Sequence, residues 1–193
     1  MKAEIRADGL HIVGYVNVPG RESRPIRSSM GSFIEIIEQR AIQKAIDKAD
    51  HIDVLLDHSK DKVLASTKNG TLKVREDNIG LRAETVITDE YVIEEAKRGH
   101  LKGWSFNIRN PKDSFEKRAE GELPLRRITD FDMDEISLIL NKRPVYQSTS
   151  IEIRAEGEDE LAEYRANMQE VEVEENREHE SELSEYKKRL ERI

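Results

Sequence analysis

The stretch IDVLLDHSKDKVLASTKNGTLKVREDNIGLRAETVI, residues 52–87, decides the fold class. It holds four runs, IDVLLDH, KVLAST, TLKVRE and IGLRAETVI, with Lys68-Asn69-Gly70 and Asp77-Asn78 as punctuation. Short apolar or alternating runs bounded by turn-prone residues read as strands. The gaps between them are too short for crossover helices, so neighbours pair antiparallel.

Upstream, Ala3 to Ala7 and His11 to Val18 alternate on either side of Asp8-Gly9, a dipeptide suited to turns with positive φ. PGRESRPIRSSMGS (19–32) reads as a long exposed loop. FIEIIEQRAIQKAIDKAD starts with alternation and continues with Ile42, Ala45, Ile46 and Ala49 at helical spacing, which predicts a short strand and then a helix of about three turns. Downstream, TDEYVIEEAKRGH reads as a helix capped by Thr88 or Asp89 and stopped at Gly99. LKGWSFNIRN (101–110) follows as a strand, then NPKDSFEKRAEGE as a charged loop. The strands LPLRRITDFD and DEISLIL, a turn at Lys142-Arg143-Pro144 and a last strand, SIEIRA, complete the body. About nine short strands and two helices before residue 156 predict an α+β chain, mainly antiparallel β, built as a barrel or sandwich.

The remainder differs. Residues 157–193 carry 13 acidic and 6 basic side chains, whereas the body carries 27 and 26. A nearly neutral domain, 1–156, thus precedes an acidic tail, 157–193. In the tail, Leu161, Tyr164, Met168 and Val171 follow a 3-4-3 spacing, as do Leu183, Tyr186, Leu190 and Ile193. That spacing predicts a helical tail, either a solvated helix or a partner-binding segment.

Composition removes several classes of function. The 193 residues include no cysteine, which excludes disulfides, thiolate zinc sites and cysteine nucleophiles. No metal or cofactor is expected. The body has no basic excess to offer phosphates, so no nucleic-acid partner is expected. MKAEIRADGLH has no apolar centre and no run approaches membrane-spanning length, so the expectation is a soluble chain without an export signal or membrane partner.

In LKGWSFNIRN, Trp104, Phe106 and Ile108 point one way, and Ser105, Asn107 and Arg109 the other. Ser105 is either part of an ordinary polar face or a nucleophile on a rigid element. A serine nucleophile needs a base, itself oriented by a third group. Of the five histidines, His58 ends IDVLLDH where an apolar wall meets a loop; His11, His51, His100 and His179 lie in less telling places. Spacing alone leaves His58 open between a packed rim residue and a base. In FDMDEISLIL, alternation puts Glu135 and Ser137 on one face, with Ile136 and Leu138 on the other; Asp134 points away from Glu135. Glu135 is either a solvated strand end or the orienting acid; Asp57 beside His58 and Ser137 beyond Glu135 are rival candidates for the site.

The ordered set VLLDHS (54–59), GHLKGWSFNIR (99–109) and DMDEISLILNKRPVY (132–146) resembles the prohead proteases of tailed bacteriophages, which are similar in fold to the herpesvirus assemblins. GYVNV (14–18) and FIEIIEQRAIQKAI (33–46) resemble that family's opening pieces, and the likeness spans about residues 11–154. It implies an assemblin-like β-barrel with flanking helices. It also implies a serine endopeptidase that cuts scaffold and capsid-protein segments, and itself, inside the assembling prohead in the host bacterial cytoplasm. Its partners would be the major capsid protein, its scaffold segment and further copies of this chain.

Carried over by position, Ser105 would be the nucleophile, His58 the base and Glu135 the orienting acid. Lys142 and Arg143 would supply the oxyanion hole through backbone N–H groups. The chain departs from the family pattern at Ser105-Phe106-Asn107-Ile108, where many relatives have Ser-Phe-Gly-Phe. It departs again at Pro144-Val145-Tyr146, in place of Pro-Ala-Tyr, and at Ala65-Ser66, where a glycine is expected. The competing reading is a non-catalytic capsid assembly or scaffold protein that retains the fold.

Overall fold

A computed structural model describes residues 1–28, 31–140, 152–155, 161–168 and 172–175. In chain order the elements are β1 (Lys2–Arg6), β2 (Gly9–Asn17), β3 (Ile26–Ser28), β4 (Gly31–Ile37), α1 (Ala41–Lys48), β5 (Asp53–Leu56), β6 (Ser59–Ser66), β7 (Leu72–Glu76) and β8 (Leu81–Ile87). Then come α2 (Glu90–Lys97), β9 (Leu101–Glu116), β10 (Leu125–Asp132), β11 (Glu135–Leu140), β12 (Glu152–Ala155), β13 (Leu161–Met168) and β14 (Glu172–Glu175).

Two sheets result. One has the order β14-β1-β2-β8-β7; the other runs β3-β4-β10-β9-β11-β5-β6, with β13 added to β9 and β12 to β13. Pairing is mainly antiparallel, as expected, but β4 with β10, β5 with β11 and β1 with β14 are parallel. One contiguous core joins Leu10 and Ile12 of β2, Ile42 of α1, Ala83 and Ile87 of β8, Trp104 and Phe106 of β9, and Ile136 and Leu138 of β11. Among the described residues no helix is long and apolar enough to cross a membrane.

The expected barrel is not found: among the described residues the sheets do not close. Closure needs a ladder between terminal strands, and among the described residues none joins β3 to β6 or β14 to β7. The outer strand β6 begins with exposed Ser59, Lys60 and Asp61, a polar edge that discourages further pairing.

Three local expectations also change. The segment 19–32 contains β3 and the start of β4, which pair with each other at Ile26↔Phe33. α1 spans eight residues, nearer two turns than three, and Arg40 before it offers no side-chain cap. Its first N–H groups instead reach a distant carboxylate: Arg40 N and Gln43 N donate to Glu76 of β7 at 3.0 and 2.7 Å. The charged segment after Arg109 is largely strand, since β9 continues to Glu116 against β10. Asn110 takes a left-handed φ of 47° before Pro111, and the ladder slips register there, so the proline sits at an irregularity where its missing N–H is tolerated. Cross-strand partners hold the charged half: Arg126 binds Glu35 and Asp113, and Arg127 binds Glu38 and Glu116.

The helical reading of the tail is corrected where the structure describes it. Residues 161–168 and 172–175 are strands, because β9 and β1 offer them ladder partners that an isolated 3-4-3 spacing does not reveal. Residues 176–193 lie outside the described residues.

α2 sets the start of β9. Asp89 caps it, its carboxylate accepting from Val92 N at 3.1 Å and pairing with Lys62. At the other end buried Glu95 accepts from Arg98 Nη1 and binds His100 Nδ1 at 2.8 and 2.9 Å, anchoring the chain as Gly99 (φ 73°) turns it into β9. Asp89→Ala should cost about 1 kcal/mol of stability, measured by urea denaturation. The Lys62 hydrogen bond, and then the backbone N–H of Val92, outweigh burial and hold the Asp89 carboxyl below its ordinary value. Its stabilisation is therefore full above the unfolded carboxyl's range and lost as pH falls through the folded value. The gap between wild type and Asp89→Ala should narrow in acid; a gap that widens would contradict this account.

Candidate active site

Three adjacent strands of the larger sheet bring the sequence-predicted residues together. β11 lies between β9 and β5, pairing antiparallel with the first and parallel with the second. Ser105 of β9 stands directly opposite Ser137 of β11, and Glu135 opens β11 beside Asp53 of β5. The β5–β6 turn then places His58 over the same face.

That turn differs from the simple strand end read from alternation. Leu56 pairs with Ser59, leaving Asp57 and His58 as a two-residue hairpin loop. Both take left-handed backbone angles, φ 47° and 61°, the pattern of a type I′ turn, and neither is glycine. Such a conformation costs on the order of 1 kcal/mol or more per residue and persists only where neighbours enforce it. Here Asp57 N donates to Leu138 O, Asp57 Oδ1 accepts from Leu140 N, and His58 N donates to Ser137 Oγ at 3.0, 3.0 and 3.2 Å. The turn is tied to β11 at three points.

The side chains form one hydrogen-bonded line. His58 Nε2 lies 2.8 Å from Ser105 Oγ, and His58 Nδ1 lies 2.8 Å from Glu135 Oε1. Ser137 Oγ donates to Glu135 Oε2 at 2.6 Å. Ser105 and Ser137 have no exposed surface, and the side chains of His58 and Glu135 are 10% and 6% exposed. A carboxylate this buried needs partners on both oxygens, and Glu135 has them. Because an ionised carboxylate only accepts, the contact at Nδ1 assigns the imidazole proton to that nitrogen and leaves Nε2 to accept from the serine hydroxyl. Hydroxyl, imidazole and carboxylate in that order can move a proton off the serine oxygen as it attacks an electrophile.

The other candidates fall elsewhere. Asp134 turns from the histidine and binds Asn107 and Arg109 of β9. Asp57 braces the turn. His11 pairs with Asp8, His51 with Asp50, and His100 with Glu95. His179, Lys142 and Arg143 lie outside the described residues. Two contributors were not assigned their parts from sequence: Asp57 as a turn brace and Ser137 as a bridge between Glu135 and the His58 backbone. The shared face of Glu135 and Ser137 was the available signal.

A family model described as caudovirus prohead serine protease matches residues 1–163. No curated protein and no solved structure matches the chain.

Proposed function

The chain belongs to the caudovirus prohead serine proteases, and from that membership we propose that Ser105, His58 and Glu135 perform its chemistry. The protein is a serine peptidase of the assembling phage prohead; its substrates in this reading are the major capsid protein and its scaffold segment. Ser105 Oγ attacks a peptide carbonyl carbon while its proton passes to His58 Nε2. Glu135 holds the imidazole at Nδ1–H and stabilises the imidazolium that forms. As the tetrahedral intermediate collapses, the C–N bond breaks and His58 returns the proton to the departing amine. Water, deprotonated by the same histidine, then attacks the acyl-enzyme and frees Ser105.

The observation that carries this reading is the pair of 2.8 Å contacts linking three residues separated by 47 and 77 positions in the chain. Co-expression with the major capsid protein of the same phage tests the reading: that shell protein should be shortened by the wild-type chain and left whole by Ser105→Ala.

Ser137 acts through its neighbours rather than on the substrate. Removing its hydroxyl strips a donor from Glu135 Oε2 and an acceptor from His58 N. A displacement of the imidazole by even 1 Å costs on the order of 100-fold in rate. Ser137→Ala should therefore lower kcat by roughly 10- to 100-fold with KM little changed, and Ser137→Thr, which keeps the hydroxyl, should recover part of it. A loss confined to thermal stability, with kcat intact, would reduce Ser137 to a packing role.

A further inference from the structure

The nucleophile strand is occupied on both edges where Ser105 sits. Ser105 pairs with Ser137 on one side and with Ala166 of β13 on the other. β13 runs antiparallel to β9 over seven consecutive pairs, from Ala162↔Arg109 to Met168↔Gly103. Ser105 has no exposed surface, with the His58 ring on its oxygen. A peptidase cannot act in that state, because the scissile carbonyl must reach the serine oxygen.

The two edges are not equivalent. β11 carries Glu135 and Ser137 and belongs to the core, so it cannot yield. β13 lies off the main strand path, and among the described residues β12 pairs with β13 alone, so this hairpin is attached to the sheet through β9. It is the separable neighbour.

Extended polypeptides are commonly bound by adding a strand to a sheet edge, where main-chain hydrogen bonds supply the affinity. Directly opposed residues in an antiparallel pair have Cβ atoms about 4.5–5.5 Å apart. Neighbouring strands lie about 4.7–4.9 Å apart, so a backbone in the place of β13 runs alongside Ser105, whose oxygen must come within roughly 3–3.5 Å of the scissile carbon. We propose that residues 161–168 occupy in cis the β9 edge that an extended substrate takes, and that the enzyme is latent until they leave. The family match ends at residue 163, inside β13, so the residue facing Ser105 lies beyond the matched region. The proposal rests on the peptidase reading given above.

Arg165→Pro and Ala166→Pro, made singly in the full chain, supply the test. In an antiparallel ladder adjacent residues turn their N–H groups to opposite sides, so one of the two prolines removes a bond to β9 and the other does not. One variant should lose hydrogen-exchange protection at residues 103–109 and react with a fluorophosphonate at Ser105 about tenfold faster than wild type or more. Excess synthetic peptide LAEYRANM should restore both values, which also shows that the variant is folded. Unchanged protection in both variants overturns the occupancy, whatever the activity. Lost protection with labelling equal to that of wild type overturns the latency. No labelling in any form, with protection lost as expected, refutes the peptidase reading and the latency with it, while β13 remains an occupant of that edge.

Discussion

Ser105→Ala is expected to leave the shell protein uncut while the variant folds as wild type does. The substitution deletes one oxygen from a small, fully buried side chain, and the fold loses a hydrogen bond to His58 worth about 1 kcal/mol. Alanine keeps the Cβ, and the backbone pairs of position 105 with Ser137 and Ala166 need no side-chain oxygen, so no ladder is disturbed. Catalysis loses its covalent step, and with it a factor of roughly 10⁴ or more. Processing of the co-expressed shell protein, read beside the thermal melt of the purified variant, gives both halves of the result. Full processing by a folded Ser105→Ala chain would end the assignment.

The strand-rich core of the sequence was legible because its signals are local. IDVLLDH, TLKVRE and IGLRAETVI contain β5, β7 and β8, KVLAST covers all of β6 but its first three residues, and the Asp89 cap and Gly99 stop bracket α2. What was missed depends on contacts between distant segments. Glu116 and Asp113 read as loop residues because nothing nearby shows that Arg127 and Arg126 face them. α1 is capped by Glu76, more than thirty residues away. Residues 161–168 have helical apolar spacing, yet the edge of β9 offers a ladder, and a tertiary partner overrides a weak periodicity. The site divides the same way. Alternation put Ser105 opposite the face of Trp104 and set Glu135 with Ser137, but only family resemblance joined those faces to His58. No sequence rule predicted two left-handed, non-glycine residues in the turn that carries it.

Glu135→Gln should lower kcat/KM by about 10⁴-fold, although it changes one atom and no volume. The reason lies in which way the new amide must face. Ser137 Oγ already accepts from His58 N, so its own proton goes to the carboxylate at Oε2. Glutamine answers that donor with its carbonyl oxygen, which leaves the NH₂ group where Oε1 stood, against His58 Nδ1. Two donors cannot share that contact, so the imidazole shifts its proton to Nε2 and no longer accepts from Ser105. The serine stays in place and loses its base. If this orientation is what disables the enzyme, removing the Ser137 hydroxyl should free the amide to turn over. Glu135→Gln combined with Ser137→Ala should then be less damaged than the product of the two single effects, a coupling that a double-mutant cycle measures directly. Glu135→Gln activity within tenfold of wild type would show that the carboxylate does not set the tautomer. Strictly multiplicative losses would instead place Glu135 and Ser137 in independent roles.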